Sequence, residues 1–220
     1  WRLAKTGLGK PPKEFKAVST HLYHNVDITI VGGGLNGLIA AKSLIDTKYS
    51  VLLIDFDDQL GGILNNSNKV QSVNNQTPMD WISETVKEIE NSKNIKILKN
   101  TLVTTYNYIN HLIAVEDKFV GSRPLKDKVN STLHKIRTDQ VILCNGHIER
   151  FLSFQNNDLP GIMLCSSFEK YMCRYGVIPS KETVVFSNNS NSESLVFSLI
   201  KKGFKPKAYI DSRSGENIEP

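Results

Sequence analysis

The sequence predicts an α/β protein: a Rossmann-like parallel-sheet dinucleotide-binding domain with an antiparallel β-meander, followed by a partial second βαβ unit. Three observations carry this. Val26–Val31, 35–45 and Val51–Ile54 alternate as apolar strand, apolar helix and apolar strand with short connections, the pattern of parallel strands joined by a crossover. The first connection holds Gly32, Gly34 and Gly37 in GxGxxG spacing. The third is that strand and helix patterns alternate again beyond residue 165.

The elements follow in order. Residues 1–23, with Gly7, Gly9, Pro11 and Pro12 among lysines, show no lasting period and read as a linker or the tail of a preceding domain. After the first βαβ run, Gly61 and Gly62 mark a turn that leads into an Asn-rich stretch. Pro78 suits the first turn of a helix whose apolar face is Trp81, Ile82, Thr85, Val86 and Ile89. Ile95–Leu98 is a third parallel strand. The segments 102–108, 112–117 and 133–137 read as a meander, broken by Asn110 and by a polar loop with Gly121 and Pro124. Residues 141–144 form a further buried parallel strand, ending at Asn145 and Gly146. In the second unit, 166–175 is helical, 183–186 a strand, 192–202 a helix and 207–210 a strand. The division is therefore a dinucleotide-binding domain at 24–150 and a partial, degenerate second unit at 151–220.

Each glycine has a mechanical reading. Gly32 permits the tight turn, Gly34 lets a pyrophosphate approach the backbone, and Gly37 lets helix and strand pack closely. The helix that opens at Leu35 presents N–H groups and a positive dipole end to an anion. Asp55 closes the second strand eighteen residues beyond Gly37, placed to accept hydrogen bonds from the ribose hydroxyls of an adenosine. Asp57 and Asp58 add negative charge with no Arg nearby in sequence, which argues against the 2′-phosphate of NADP. Gly61 and Gly62 fit a backbone passing close to a cofactor, or an ordinary loop turn. Val103 either offers its backbone to an adenine edge or is a core valine. NAD and FAD share the ADP half that all these contacts would read, so both stay open.

The second unit lacks the glycines: Ser187-Asn-Asn-Ser-Asn-Ser stands where GxGxxG would fall. Side chains there would block a pyrophosphate, so this half reads as a relic or substrate-side module. No catalytic set emerges. His147 and Glu149 follow Gly146, where a general acid is conceivable, but a loop histidine is more commonly just hydrogen-bonded and exposed. Cys144, Cys165 and Cys173 have no CxxC spacing, which points to a reducing, cytoplasmic setting without a disulfide framework or zinc site.

Composition excludes other classes. The 220 residues are 40% hydrophobic and 22% charged, which is neither a disordered chain nor a coiled-coil rod. A net charge of +5 is mild, and no basic stripe with interleaved aromatics appears, so nucleic acid is not an expected partner. Lys201, Lys202, Lys205 and Lys207 read as a solvated helix end. No apolar run is long enough to span a bilayer, so no membrane is expected. The opening at Trp1 rather than Met suggests a piece of a longer polypeptide.

Val31-Gly-Gly-Gly-Leu-Asn-Gly, Leu53-Ile-Asp and Gly61-Gly62 together resemble the two-dinucleotide-domain flavoproteins of the glutathione and thioredoxin reductase type. Val141-Ile-Leu-Cys-Asn-Gly stands where that fold has its second strand motif, with Cys144 and Asn145 in place of Ala and Thr. A narrower resemblance is to the alpha subunit of heterotetrameric sarcosine oxidase, in Phe154-Gln-Asn-Asn-Asp-Leu-Pro-Gly-Ile-Met-Leu, Tyr171-Met-Cys-Arg-Tyr-Gly-Val and Val184-Val-Phe-Ser-Asn-Asn. It implies NAD held at Gly32, Gly34, Leu35, Gly37, Asp55, Gly62, Val103 and Gly146, without a part in turnover. It further implies partners: beta, gamma and delta subunits, FAD and FMN in the assembled complex, and tetrahydrofolate on a C-terminal domain absent from this sequence. The competing reading is a self-sufficient FAD-dependent oxidoreductase acting on an opine or imino acid.

Overall fold

The computed structural model describes residues 19–66, 70, 72–117, 131–180, 182–201, 203 and 205–213. Much of the expected tail, the polar loop with Gly121 and Pro124, and Lys202 lie outside them. The first unit runs β1 (Ser19–Val31), α1 (Leu35–Ser43), β2 (Val51–Ile54), a one-turn α2 (Ile63–Asn66), α3 (Pro78–Asn91), β3 (Ile95–Leu98), β4 (Thr101–Asn107), β5 (His111–Asp117) and β6 (Ser131–Leu143). Its sheet has the order β3-β2-β1-β6-β5-β4. The four strands β3, β2, β1 and β6 are mutually parallel, and β6, β5 and β4 pair antiparallel. The α/β fold with a Rossmann-like parallel core and a meander is therefore the one the sequence predicts.

Both faces of this sheet are covered, which is why β2 is apolar at every position and buried throughout. Ile28, Ile30, Val51 and Leu53 pack against Leu38 and Ala41 of α1 and Trp81, Ile82 and Ile89 of α3. On the other face, Leu52 and Ile54 pack with Leu112, Ala114 and Ile136 of the meander. Helix α3 starts where expected: the Asp80 N–H donates to Thr77 Oγ1 at 3.2 Å, and Pro78 occupies the first turn.

Two strand expectations need correction. β1 begins at Ser19, seven residues before Val26, so 19–23 are strand rather than linker. The third meander strand and the following parallel strand are one 13-residue strand, β6, which pairs along the length of β1. The polar run Thr138–Gln140 looks like a break but stays strand with its polar groups paired: the Thr138 hydroxyl reaches the carbonyls of Asp27 (3.2 Å) and Gln140 (2.9 Å), and the Asn110 amide donates to the Asp139 carbonyl at 2.7 Å. Past Gln140 the strand is only half-buried, with Leu143 exposed, not buried as expected.

The second unit comprises α4 (Cys165–Arg174), β7 (Val184–Ser187), a 3-10 turn (Ser190–Ser192), α5 (Glu193–Lys201) and β8 (Ala208–Asp211), with β7 and β8 parallel. Phe168 and Met172 of α4 pack on Leu195 and Leu199 of α5.

Candidate functional site

The glycine turn sits at the C-terminal edge of the parallel strands. The Gly32 N–H donates to the Ile54 carbonyl at 2.8 Å and the Cys144 N–H to the Val31 carbonyl at 2.7 Å, so the turn is held between β2 and the continuation of β6. Here the chain leaves β1 toward β2 on one side while β6 lies on the other. This is the switch point where open α/β sheets take ligands.

The glycines divide by what surrounds them. Gly32 has φ +103°, and a Cβ on it would overlap the Cys144 carbonyl oxygen. A Cβ on Gly37 would overlap the Gly32 carbonyl oxygen, so Gly37 is what lets α1 pack onto the turn. Gly34 is different. Among the described residues a Cβ there would meet only the Gly62 Cα, at 3.9 Å, so the space beside Gly34 is open. Gly34 is the N-cap of α1 and supplies no capping side chain. The first helical bond runs from the Leu38 N–H to the Gly34 carbonyl (2.9 Å), so Leu35, Asn36 and Gly37 have no intrahelical acceptor. Backbone donors and open room thus coincide, as an anionic group requires.

Asp55 is buried at the end of β2. Its Oδ2 accepts the Gly33 N–H and its Oδ1 accepts the Asp57 N–H at 2.8 Å. Burial pushes the Asp55 carboxyl above the ordinary carboxylate range, against the downward pull of those two hydrogen bonds. Each carboxylate oxygen has a second lone pair, so the group keeps capacity for hydroxyl donors. Gly61 and Gly62 come back onto the turn: the Gly61 N–H donates to the Gly33 carbonyl at 2.8 Å, and Gly62 lies against Gly34. Gly32, Gly34, Leu35, Gly37, Asp55 and Gly62 are therefore gathered at one place.

Val103 and Gly146 stand less directly in it. Val103 pairs with Ala114 beside a register shift in β4, and its side chain packs on the core. The strand touches Asp55 two residues earlier, where the Thr101 N–H donates to the Asp55 carbonyl at 2.9 Å. Gly146 lies exposed in the loop after β6 with φ +68°. His147 is exposed, and Glu149 accepts the Ser166 N–H at 2.8 Å, capping the start of α4.

Sequence reasoning missed Gly33, Leu60 and the basic residues of α4. Gly33 is forced by the Leu60 side chain and Asp55 around its missing Cβ. Arg174 pairs with Asp58 and, at 3.4 Å, with Asp57, while Lys170 reaches Asp57 at 3.5 Å. The two acidic residues set against a 2′-phosphate are thus ion-paired, and the cations come from more than a hundred residues away. No local spacing signals that.

Fold and site together define a dinucleotide-binding domain of the Rossmann class, and residues 30–96 match the family of NAD(P)-binding Rossmann-like domains. Across nearly its whole length the chain is similar to the sarcosine oxidase alpha subunit. It is 32% identical to that of Corynebacterium sp. (strain P-1), over 94% of this chain and 22% of the subunit. It is 28% identical to that of Rhizobium meliloti (strain 1021), over 88% of this chain and 20% of the subunit. The chain therefore spans about a fifth of the length of these curated relatives. Among solved structures, L-proline dehydrogenase from P. horikoshii superposes with a TM-score of 0.67 at 22% identity, covering 94% of this chain and 39% of that one, a likeness of fold. No helix among the described residues is long and apolar enough to cross a membrane.

Proposed function

We propose that this chain is the dinucleotide-holding part of an oxidoreductase subunit of the sarcosine oxidase alpha type, and that the dinucleotide is NAD. The observation that carries the reading is the open space at Gly34, bounded by the N-terminus of α1 and the Gly61–Gly62 backbone, with the buried Asp55 carboxylate behind Gly33. The N–H groups of Leu35 and Asn36 would take the pyrophosphate oxygens, and Asp55 the adenosine ribose hydroxyls. Gly146 and the backbone near Val103 would border the two ends of the ligand.

A nicotinamide or flavin supplies hydride chemistry when bound. This chain's own residues bind and orient. Cys165 and Cys173 lie on α4 without a disulfide between them, and His147 stands in an exposed loop; we assign none of them to catalysis. The oxidation of sarcosine, the flavins and the tetrahydrofolate step then belong to partner subunits and to other parts of the polypeptide. FAD is the runner-up at the glycine turn, since its ADP half makes the same contacts.

Denaturing the purified protein and recording the spectrum of the released small molecules tests the assignment. A 260 nm nucleotide band that becomes reducible by an NAD-specific dehydrogenase is expected. A visible flavin band would replace NAD by FAD. Sarcosine turnover by this chain alone, abolished by His147→Ala, would overturn the holding role.

A further inference from the structure

We propose that Arg174 is a positioning residue for the adenosine ribose, acting through Asp57 on the carboxylate of Asp55. The proposal rests on the dinucleotide reading above. Three carboxylates, Asp55, Asp57 and Asp58, crowd into four residues at the end of β2. Left alone they would repel one another and spread the turn. Arg174 spans two of them: one guanidinium nitrogen pairs with Asp58 and the other lies 3.4 Å from Asp57 Oδ1. The Arg174 side chain is 9% exposed and Asp57 16%, so that contact is sheltered from water in a way a rim ion pair is not, whereas Asp58, at 59%, stands at the surface. Lys170, one helical turn earlier on the same face of α4, reaches the same Asp57 oxygen.

Asp57 is the link. Its carboxylate is held by α4, its carbonyl accepts the Asn100 N–H at 3.1 Å, and its own N–H donates to Asp55 Oδ1 at 2.8 Å. With Gly33 holding Oδ2, the Asp57 N–H fixes the rotation of the Asp55 carboxylate and so the direction of its remaining lone pairs. A ribose diol needs those lone pairs at set angles. The opposite face of α4 packs Phe168 and Met172 on α5, so the second, glycine-less unit braces the nucleotide site of the first. That gives the second unit a task which needs no ligand of its own.

The test measures dissociation constants of the cofactor-stripped, full-length protein for NAD and FAD, each beside its analogue carrying 2′-deoxyadenosine. Wild-type protein is expected to prefer the hydroxylated form of whichever ligand it binds. Arg174→Ala is expected to weaken that form by about tenfold while changing the deoxy form less than about twofold, collapsing the preference. Arg174→Lys keeps the charge but not the fork, and should recover only part of it. If Arg174→Ala does not fold, Asp57→Asn, which keeps the N–H and removes the carboxylate that Arg174 grips, should show the same collapse. Equal weakening of both forms would mean a merely structural role and overturn the proposal, as would an unchanged preference. Folded wild-type protein that binds neither ligand would overturn the dinucleotide reading itself, and a wild type blind to the hydroxyl would overturn only the role of Asp55 and Arg174.

Discussion

The turn after β1 and the turn after β7 occupy the same place in two strand–helix–strand units, and they are made of opposite materials. The first is backbone: Gly32 to Gly37 leave room at Gly34 and helical N–H groups without intrahelical partners. The second is side chain. The Ser187 hydroxyl donates to the Asn189 carbonyl at 2.7 Å and accepts the Asn189 N–H at 3.2 Å, and Ser192 meets the Tyr209 hydroxyl at 3.1 Å. The acidic residues that close the second strands differ in the same sense. Asp55 is held by two backbone N–H groups and keeps capacity. Asp211 takes both arms of Arg213, whose hydrogen bonds hold its carboxyl below the ordinary range. One topology thus gives a receptive edge or a self-satisfied one, according to whether side chains fill the turn.

The comparison breaks most visibly at Gly37. Gly37→Val places carbon on the Gly32 carbonyl, a backbone atom that cannot step aside. Destabilisation by about 4 kcal/mol is expected in urea unfolding; a cost below about 1 kcal/mol would mean that close packing is not what this glycine provides. Asp55→Asn comes next. An amide cannot accept from both the Gly33 and Asp57 N–H groups, so one buried donor goes unpaired, at a cost of about 2 kcal/mol. The pH dependence has a definite sign. Because burial raises the folded Asp55 value, its contribution is fully present below the unfolded carboxylate value and fades as pH rises through the folded one. The asparagine does not titrate, so the stability gap between wild type and variant should narrow from acid toward neutral pH. A gap that widens would mean the two hydrogen bonds outweigh burial.

What the sequence made legible follows the range of the forces involved. The glycine turn, Asp55 and the start of α3 at Pro78 showed in local spacing, although the turn's own partners, Cys144 and Gly61, lie far along the chain. The length of β1 and β6 was not legible, because residues 19–25 become strand through pairing with 131–137, more than a hundred residues on. The polar Thr138–Gln140 run hid the continuity of β6, since its partners, Asp27 and Asn110, come together with it only in the fold. Arg174 was invisible for the same reason: Asp57 and Asp58 read as bare charge until α4 is folded against them.

A sharper form of the comparison separates binding from folding at one position. Gly34 has φ −74° and open room for a side chain, so Gly34→Ala should leave the unfolding midpoint almost unmoved, within about 0.5 kcal/mol. The added methyl would occupy the space assigned to the pyrophosphate, and affinity for the dinucleotide should fall by about tenfold or more in equilibrium titration. Unchanged affinity would place the ligand elsewhere.

The smallest effect is expected from a glycine of the second unit. Gly203 follows α5, where its N–H donates to the Ile200 carbonyl at 2.9 Å, and it holds φ +82°. That left-handed conformation is how helices commonly terminate, and glycine enters it without the steric cost an L side chain meets. Among the described residues nothing lies within 4 Å of where a Cβ would stand, so the expected cost of Gly203→Ala is conformational. About 1 kcal/mol is expected, partly offset because alanine also restricts the unfolded chain. The contrast with Gly37, which lies inside the first turn of α1, is then steric: one is pressed against a carbonyl, the other faces open space. Thermal melts of the two alanine variants, Gly37→Ala and Gly203→Ala, measure this directly. A drop for Gly203→Ala as deep as that for Gly37→Ala would show that the end of α5 is covered in the intact protein.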